Sequence, residues 1–262
     1  MNMHRTFVAS LISVGLMSGA AMAADLPMPA PAPVYKAPPP PVYNWTGCYI
    51  GGGGGYGMWG QDSYVRNGAG AQITNNITDG GKGWFGQGQA GCDYQFSTPI
   101  LNINAVIGAF ADYDFDNLRG TSTTPIGGGT ETETGNWSAG LRAGWLVTPR
   151  FLSYFDGGYT QAHFNQVNYS GLLAGAGPAG FSLAAQTYNG WFLGSGFEYA
   201  LDILPIPGLF LKTEYRYSSY SSANVPFLST ATGAPLATTL NSAKYIQMIS
   251  TELVWRFNWF GH

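Results

Sequence analysis

Residues 208–218 read GLFLKTEYRYS, and the two parities of that stretch differ completely in character. Leu209, Leu211, Thr213, Tyr215 and Tyr217 fall on one, while Lys212, Glu214 and Arg216 fall on the other. Period-two alternation of this kind makes a strand with one apolar and one charged face. Such a strand fits the surface of a soluble sandwich, with water on its polar side. It also fits the wall of a membrane barrel, with lipid outside and a polar bore inside. The barrel requires the same alternation in every strand, an export signal, and long loops at one end only.

Composition favours the barrel. Charged residues make up 10% of the 262, against about 25% in an ordinary soluble domain. Yet mean hydropathy is near zero (-0.02), and past the first two dozen residues no apolar run is long enough for a spanning helix. Only helices and closed barrels satisfy every backbone polar group in lipid, so a membrane protein of this composition has to be a barrel. A net charge of -3 is too small to point to a nucleic-acid partner.

Residues 1–23 have the form of a secretory signal. His4 and Arg5 open a short positive region, TFVASLISVGLMSGA supplies the apolar core, and Ala21-Met22-Ala23 is a small-x-small cleavage site. The mature chain is therefore expected to begin at Ala24. Residues 24–44 form a proline-rich arm whose tract PMPAPAPVYKAPPPPVY lacks ladder donors and suits polyproline II. A stiff periplasmic spacer is the expected role, with binding to the cell wall or to a partner as the alternative. Residues 45–262 are the expected barrel.

Eight segments there carry the strand pattern: 45–58, 83–96, 101–115, 137–147, 151–160, 191–199, 208–218 and 245–257. In the second, Trp84, Ala90, Cys92, Tyr94 and Phe96 oppose Gln87, Gln89, Asp93 and Gln95. The fifth is less regular: Phe151, Phe155 and Tyr159 suit the outside and Asp156 and Thr160 the inside, but Leu152 and Tyr154 blur the division. Connections 97–100, 148–150 and 201–207 are short, whereas 61–82, 116–136, 164–188 and 219–244 are long and polar. Alternating short turns and long loops puts every long loop on one side, as in outer-membrane barrels. Trp45, Trp59, Trp84, Trp137, Trp145, Tyr199 and Trp255 lie near segment ends, as expected for interfacial girdles. The expected fold is an all-β, eight-stranded antiparallel transmembrane β-barrel.

The leader followed by AADLP, the stretch PPPPVYNWTGCYIGG, and the strands GQGQAGCDYQF, LKTEYRY and ELVWRFNW resemble the small outer-membrane immunogenic or porin-family barrels of Gram-negative bacteria, akin to the OmpA and OmpX type. The resemblance runs from signal to C-terminus and implies outer-membrane lipid as surroundings, with the barrel-assembly machinery and periplasmic chaperones as partners. Members of such families often stop at an aromatic residue, usually Phe, that the machinery reads. Here Phe257 is followed by Asn258 to His262, so either Phe257 or Phe260 is the candidate signal, or the whole strand serves.

An eight-stranded bore is about wide enough to be filled by its own side chains. The inward charges Arg142, Glu198, Lys212, Glu214, Arg216, Glu252 and Arg256 are of mixed sign. They are expected to form a salt-bridged plug; the alternative is unpaired charges in trapped water. Cys48 and Cys92 are the two cysteines, on the first two strands and in an oxidising compartment. A cross-strand disulfide and a pair of lipid-facing small hydrophobes are both open.

Catalytic chemistry finds little support. His163 and Ser153 share a strand but are ten residues apart, too far for a nucleophile and its base. The cysteines and histidines have no zinc spacing, and the glycine run at 51–55 lacks the lysine and helix of a phosphate loop. Neither cofactor nor metal is expected. The reading is a structural outer-membrane barrel with a filled bore and exposed loops; a small-solute channel is the alternative, and a lipid-modifying enzyme a distant third.

Overall fold

The structure is a computed structural model that describes residues 43–98, 103–171, 178–201 and 206–257. The chain divides into two units, Met1–Pro40 and Pro41–His262, and every described residue belongs to the second. The signal, most of the proline arm and Phe260 lie outside the described residues.

Twelve strands follow one another: β1 (Gly47–Arg66), β2 (Ile77–Thr98), β3 (Ile103–Asp116), β4 (Leu118–Thr124), β5 (Gly127–Thr148), β6 (Phe151–Phe164), β7 (Val167–Ser170), β8 (Pro178–Leu183), β9 (Gln186–Ala200), β10 (Leu209–Tyr220), β11 (Ala223–Ser229) and β12 (Pro235–Phe257). Eight of them make an antiparallel ring in the order β1-β2-β3-β5-β6-β9-β10-β12. The ring closes because β12 pairs back onto β1 from Cys48↔Phe257 to Arg66↔Thr239. No edge is left in it, which is what lipid demands of a sheet.

Outward residues are large and apolar. Leu141, Trp84 and Phe115 are 69%, 74% and 68% exposed, values a soluble sheet would not leave uncovered over a whole face. Aromatic side chains collect in two belts. Trp137 meets Tyr159, Trp191 meets Tyr217, and Tyr217 meets Tyr245 toward one end. Trp145 meets Phe155, and Phe151 meets Phe197, toward the other.

Two tryptophans expected in those belts are inside instead. Trp45 is fully buried, its indole N–H donating to the Pro149 carbonyl at 3.2 Å and its ring 4.8 Å from Phe210. Trp59 is also buried and donates to the Leu118 carbonyl at 3.2 Å. Both are stationed on the inward parity, which the run Gly51–Gly55 concealed by giving β1 no alternation to read. Two of those glycines are required by close approach: a Cβ on Gly53 would strike the Thr251 carbonyl, and one on Gly55 the Ile249 carbonyl and the Phe85 ring. In β6, Leu152 and Tyr154 likewise point inward and are buried, forming part of an apolar layer with Tyr49, Val106, Phe110, Phe192, Phe210 and Val254.

Much of the long connections is strand. Beyond the outer aromatic belt, β1, β2, β5 and β12 continue and take four short strands as new neighbours. β2 pairs β4, β4 pairs β5, β5 pairs β7 through Gly128↔Ser170, β7 pairs β8, β8 pairs β11, and β11 pairs β12. With β12–β1 and β1–β2 this is a second closed circuit stacked on the first. Its interior holds an apolar cluster of Leu118, Val167, Tyr169, Leu183, Val225, Phe227 and Leu240, beside the buried polar side chains Gln61, Glu131 and Lys244. β4 (LRGTSTT) turns one apolar residue, Leu118, inward beside Ser122 and Thr124, and β7 (VNYS) turns Val167 and Tyr169 inward with Asn168 and Ser170 outside, too short an alternation to stand out from a polar loop.

Candidate functional site

All seven charges expected in the bore are there, buried, and held in two clusters. In the cluster near Trp45, Arg142 donates from Nε to Asp93 Oδ1 at 2.8 Å, from Nη2 to Asp93 Oδ2, and from Nη1 to Glu198 Oε2 at 3.3 Å. Arg256 donates from Nε and Nη2 to the two Glu198 oxygens, both at 2.8 Å, and from Nη1 to Asp93 Oδ2 at 2.6 Å. Each guanidinium also lies over the Tyr49 ring, at 4.6 and 4.9 Å. Residues from β2, β5, β9 and β12 therefore meet across the bore in one bidentate network.

The next cluster is built on β10. Lys212 Nζ sits 2.8 Å from Glu214 Oε2 and 3.3 Å from Glu252 Oε1, and donates to Gln89 Oε1 at 2.9 Å. Arg216 grips Asp112 with both Nη atoms at 3.0 and 2.8 Å and Glu214 with Nε at 2.9 Å. Tyr154 adds an O–H donor to Glu214 Oε2 at 2.9 Å. Strand register puts Lys212 level with Glu198, but each charge is matched to other partners: inward side chains lean along the strand and reach across a narrow bore as readily as sideways.

The sequence pattern missed several members of the bore. Asp93 and Asp112 fall on the inward parity, and their acidity and position together mark them as members of the plug. Lys244, at the end of the long connection 219–244, is buried and pairs with Glu131 Oε1 at 2.8 Å in the distal circuit, with Gln61 as a further acceptor. Asp114, Asp116, Glu133 and Asp156 are buried along the same bore.

Cys48 and Cys92 are register partners on β1 and β2, with Sγ atoms 2.03 Å apart on the outward face. Ser153 and His163 share the outward face of β6, about 33 Å apart at about 3.3 Å per residue, and His163 Nδ1 lies 3.0 Å from Thr187 Oγ1. No group of His, Cys, Asp and Glu side chains among the described residues is arranged to hold a metal ion.

A family model for the outer membrane protein beta-barrel domain matches residues 10–257. The chain belongs to that family. The chain is also similar to the 31 kDa outer-membrane immunogenic proteins of Brucella melitensis and Brucella suis. Each is 28% identical to this chain over 231 residues, covering 85% of it and 90% of the relative. Among solved structures, the outer membrane protein OprG from Pseudomonas aeruginosa is 13% identical, covers 81% of this chain and 97% of its own, and superposes with a TM-score of 0.43. Neisserial surface protein A is 13% identical, with coverages of 81% and 98% and a TM-score of 0.39. Family membership places this barrel in the outer membrane, so the outward leucines and tryptophans face hydrocarbon.

Proposed function

We propose that the chain is a structural outer-membrane barrel whose bore is closed by its own side chains. It contributes to envelope integrity, and its distal strand circuit presents a stiff surface to the environment. One observation carries this reading: four strands contribute Asp93, Arg142, Glu198 and Arg256 to a single network that spans the bore. An ion crossing at that level would have to break charge-assisted bonds in a confined, apolar-flanked site. The void just distal to it, between Phe85, Gln87, Asp114, Glu214, Arg216, Met248 and Ser250, measures about 10 Å³, barely room for one water.

The barrel works as an anchor without catalysis, since Ser153 and His163 are far apart and face outward. Its β12 strand, ending at or after Phe257, is the part read by the assembly machinery, and the proline arm is its periplasmic spacer. The immunogenic character named for the Brucella relatives extends to this chain as exposure of the distal circuit to antibodies. Planar-bilayer recording of the refolded full chain tests the reading: no steady conductance is expected. Steady, large openings would establish a small-solute channel instead.

A further inference from the structure

The distal circuit ends in an apolar cup. A cavity of about 260 Å³ is lined by Val65, Thr124, Phe181, Phe227, Leu236 and Thr238, with Ile73, Pro125 and Ile126 at its wall. Ile73, Ile126 and Leu236 are 55%, 68% and 42% exposed, three large apolar side chains converging from separate segments in a region otherwise rich in Gly, Thr, Ser and Asn. A circuit of strands with an apolar interior has to be capped at its open end or leave that interior wetted. Among the described residues this one is left open.

The lining says what would enter. It holds no charged side chain. The Thr124 hydroxyl is engaged by the backbone of Gly127, donating to its carbonyl at 2.9 Å and accepting from its N–H at 3.1 Å. The Thr74 hydroxyl accepts the Val65 N–H at 2.9 Å. Apart from the Thr238 hydroxyl, the surface offered is methyl groups and aromatic faces.

The cup is blind. Phe181 and Phe227, which line it, meet edge to face at 5.5 Å, and Tyr169 packs against both at centroid distances of 5.1 and 6.1 Å. Beneath them the buried cluster that includes Leu183, Val225 and Leu240 fills the circuit. A molecule that enters is held, not passed on. The volume matches about nine water-sized groups at about 30 Å³ each, the bulk of a medium-length alkyl chain or a single small apolar ring system.

We infer that the distal end of this barrel is a binding site for a small uncharged apolar molecule, an alkyl chain of about eight carbons or its equivalent in bulk, captured from outside. Apolar burial in a preformed concave site supplies the affinity, and a lining that is almost wholly apolar makes the site tolerant of which apolar molecule it takes.

The test uses the full-length barrel in lipid nanodiscs and the photoreactive alcohol azioctanol, with labelled peptides mapped by mass spectrometry. Saturable labelling is expected on peptides carrying Ile73, Ile126, Phe181, Phe227 or Leu236, reduced about tenfold by excess octane, a factor worth about 1.4 kcal/mol. Labelling of lipid-facing Leu141 and Leu193 should rise linearly, as simple partition does. Thr238→Trp, which fills the cup from a half-buried position, should abolish distal labelling while heat-modifiable migration on a gel stays unchanged. If Thr238→Trp fails to fold, Ile126→Trp at the exposed rim serves the same purpose. Distal labelling that never saturates, or that neither octane nor the filling variants reduce, overturns the inference. So does the absence of distal labelling, which would mean that the chain itself fills the cup.

Discussion

Replacing Arg256 by methionine probes the network that closes the bore. Arg256 supplies three of the short nitrogen–oxygen contacts there: two to Glu198, both at 2.8 Å, and one to Asp93 at 2.6 Å. Without it, Asp93 keeps the paired hydrogen bonds from Arg142, but Glu198 retains only the Arg142 Nη1 contact at 3.3 Å. One carboxylate, fully buried on β9, is then nearly uncompensated. Breaking a buried pair from one side costs about 3–5 kcal/mol, whereas removing both partners is close to neutral. Arg256→Met should therefore lose about 3–5 kcal/mol of unfolding free energy, a large share of the about 5–15 kcal/mol a folded domain commands. The double variant Arg256→Met/Glu198→Gln should recover most of it. The assay is urea unfolding in detergent, followed by tryptophan fluorescence and by the boiled-versus-unboiled gel shift. A single-variant loss below about 1 kcal/mol, or a double variant whose loss is the plain sum of the two singles, would refute the argument, because coupled neighbours must depart from additivity.

Other outcomes follow from the same structure. Leu141 lies midway between the belt residues Trp137 and Trp145 and is 69% exposed to lipid; Leu141→Arg should cost about 2–4 kcal/mol, and a neutral result in a bilayer would place that face elsewhere. Gly55→Val drives a side chain into the Ile249 carbonyl and the Phe85 ring, so refolding yield should collapse; a normal yield would mean that β1 and β12 do not approach so closely. We further propose that Cys48 and Cys92 are bridged in the native protein, closing a separation of 44 residues for about 2–4 kcal/mol; two reactive thiols in the denatured, unreduced chain would exclude it. In the distal circuit, burial pushes the Tyr169 phenol above its ordinary range, while its hydrogen bond with Ser122 works in the opposite direction. A raised folded value means that its stabilising contribution is intact below the unfolded phenol value of about 10 and is lost as pH climbs beyond it. A tyrosinate difference titration of wild type against Tyr169→Phe should therefore show no step near that pH, and a step there would count against burial of the ring.

The sequence determined the wall of the barrel. In β2, β3, β9, β10 and β12, and in β5 between its irregularities at Glu133/Gly135 and Leu146/Thr148, the lipid-facing and bore-facing residues alternate, so parity alone assigned Leu141 outward and Lys212 and Glu252 inward. It also made a closed sheet the form of a helix-free membrane chain. Tertiary structure decided what parity cannot carry. β1 has glycine where alternation would be read, so only pairing with β2 and β12 shows Trp59 and Tyr49 inside. Ion partners depend on which strands lie across the bore, which is why Glu198 belongs to Arg256 and Lys212 to Glu214. The distal circuit is made by β4, β7, β8 and β11, each too short to announce itself, and they become strands because β1, β2, β5 and β12 extend past the membrane and offer edges that need partners. Local alternation is a property of the chain; closure, register across the bore and the capture of short segments by waiting edges arise only when distant parts of the chain meet.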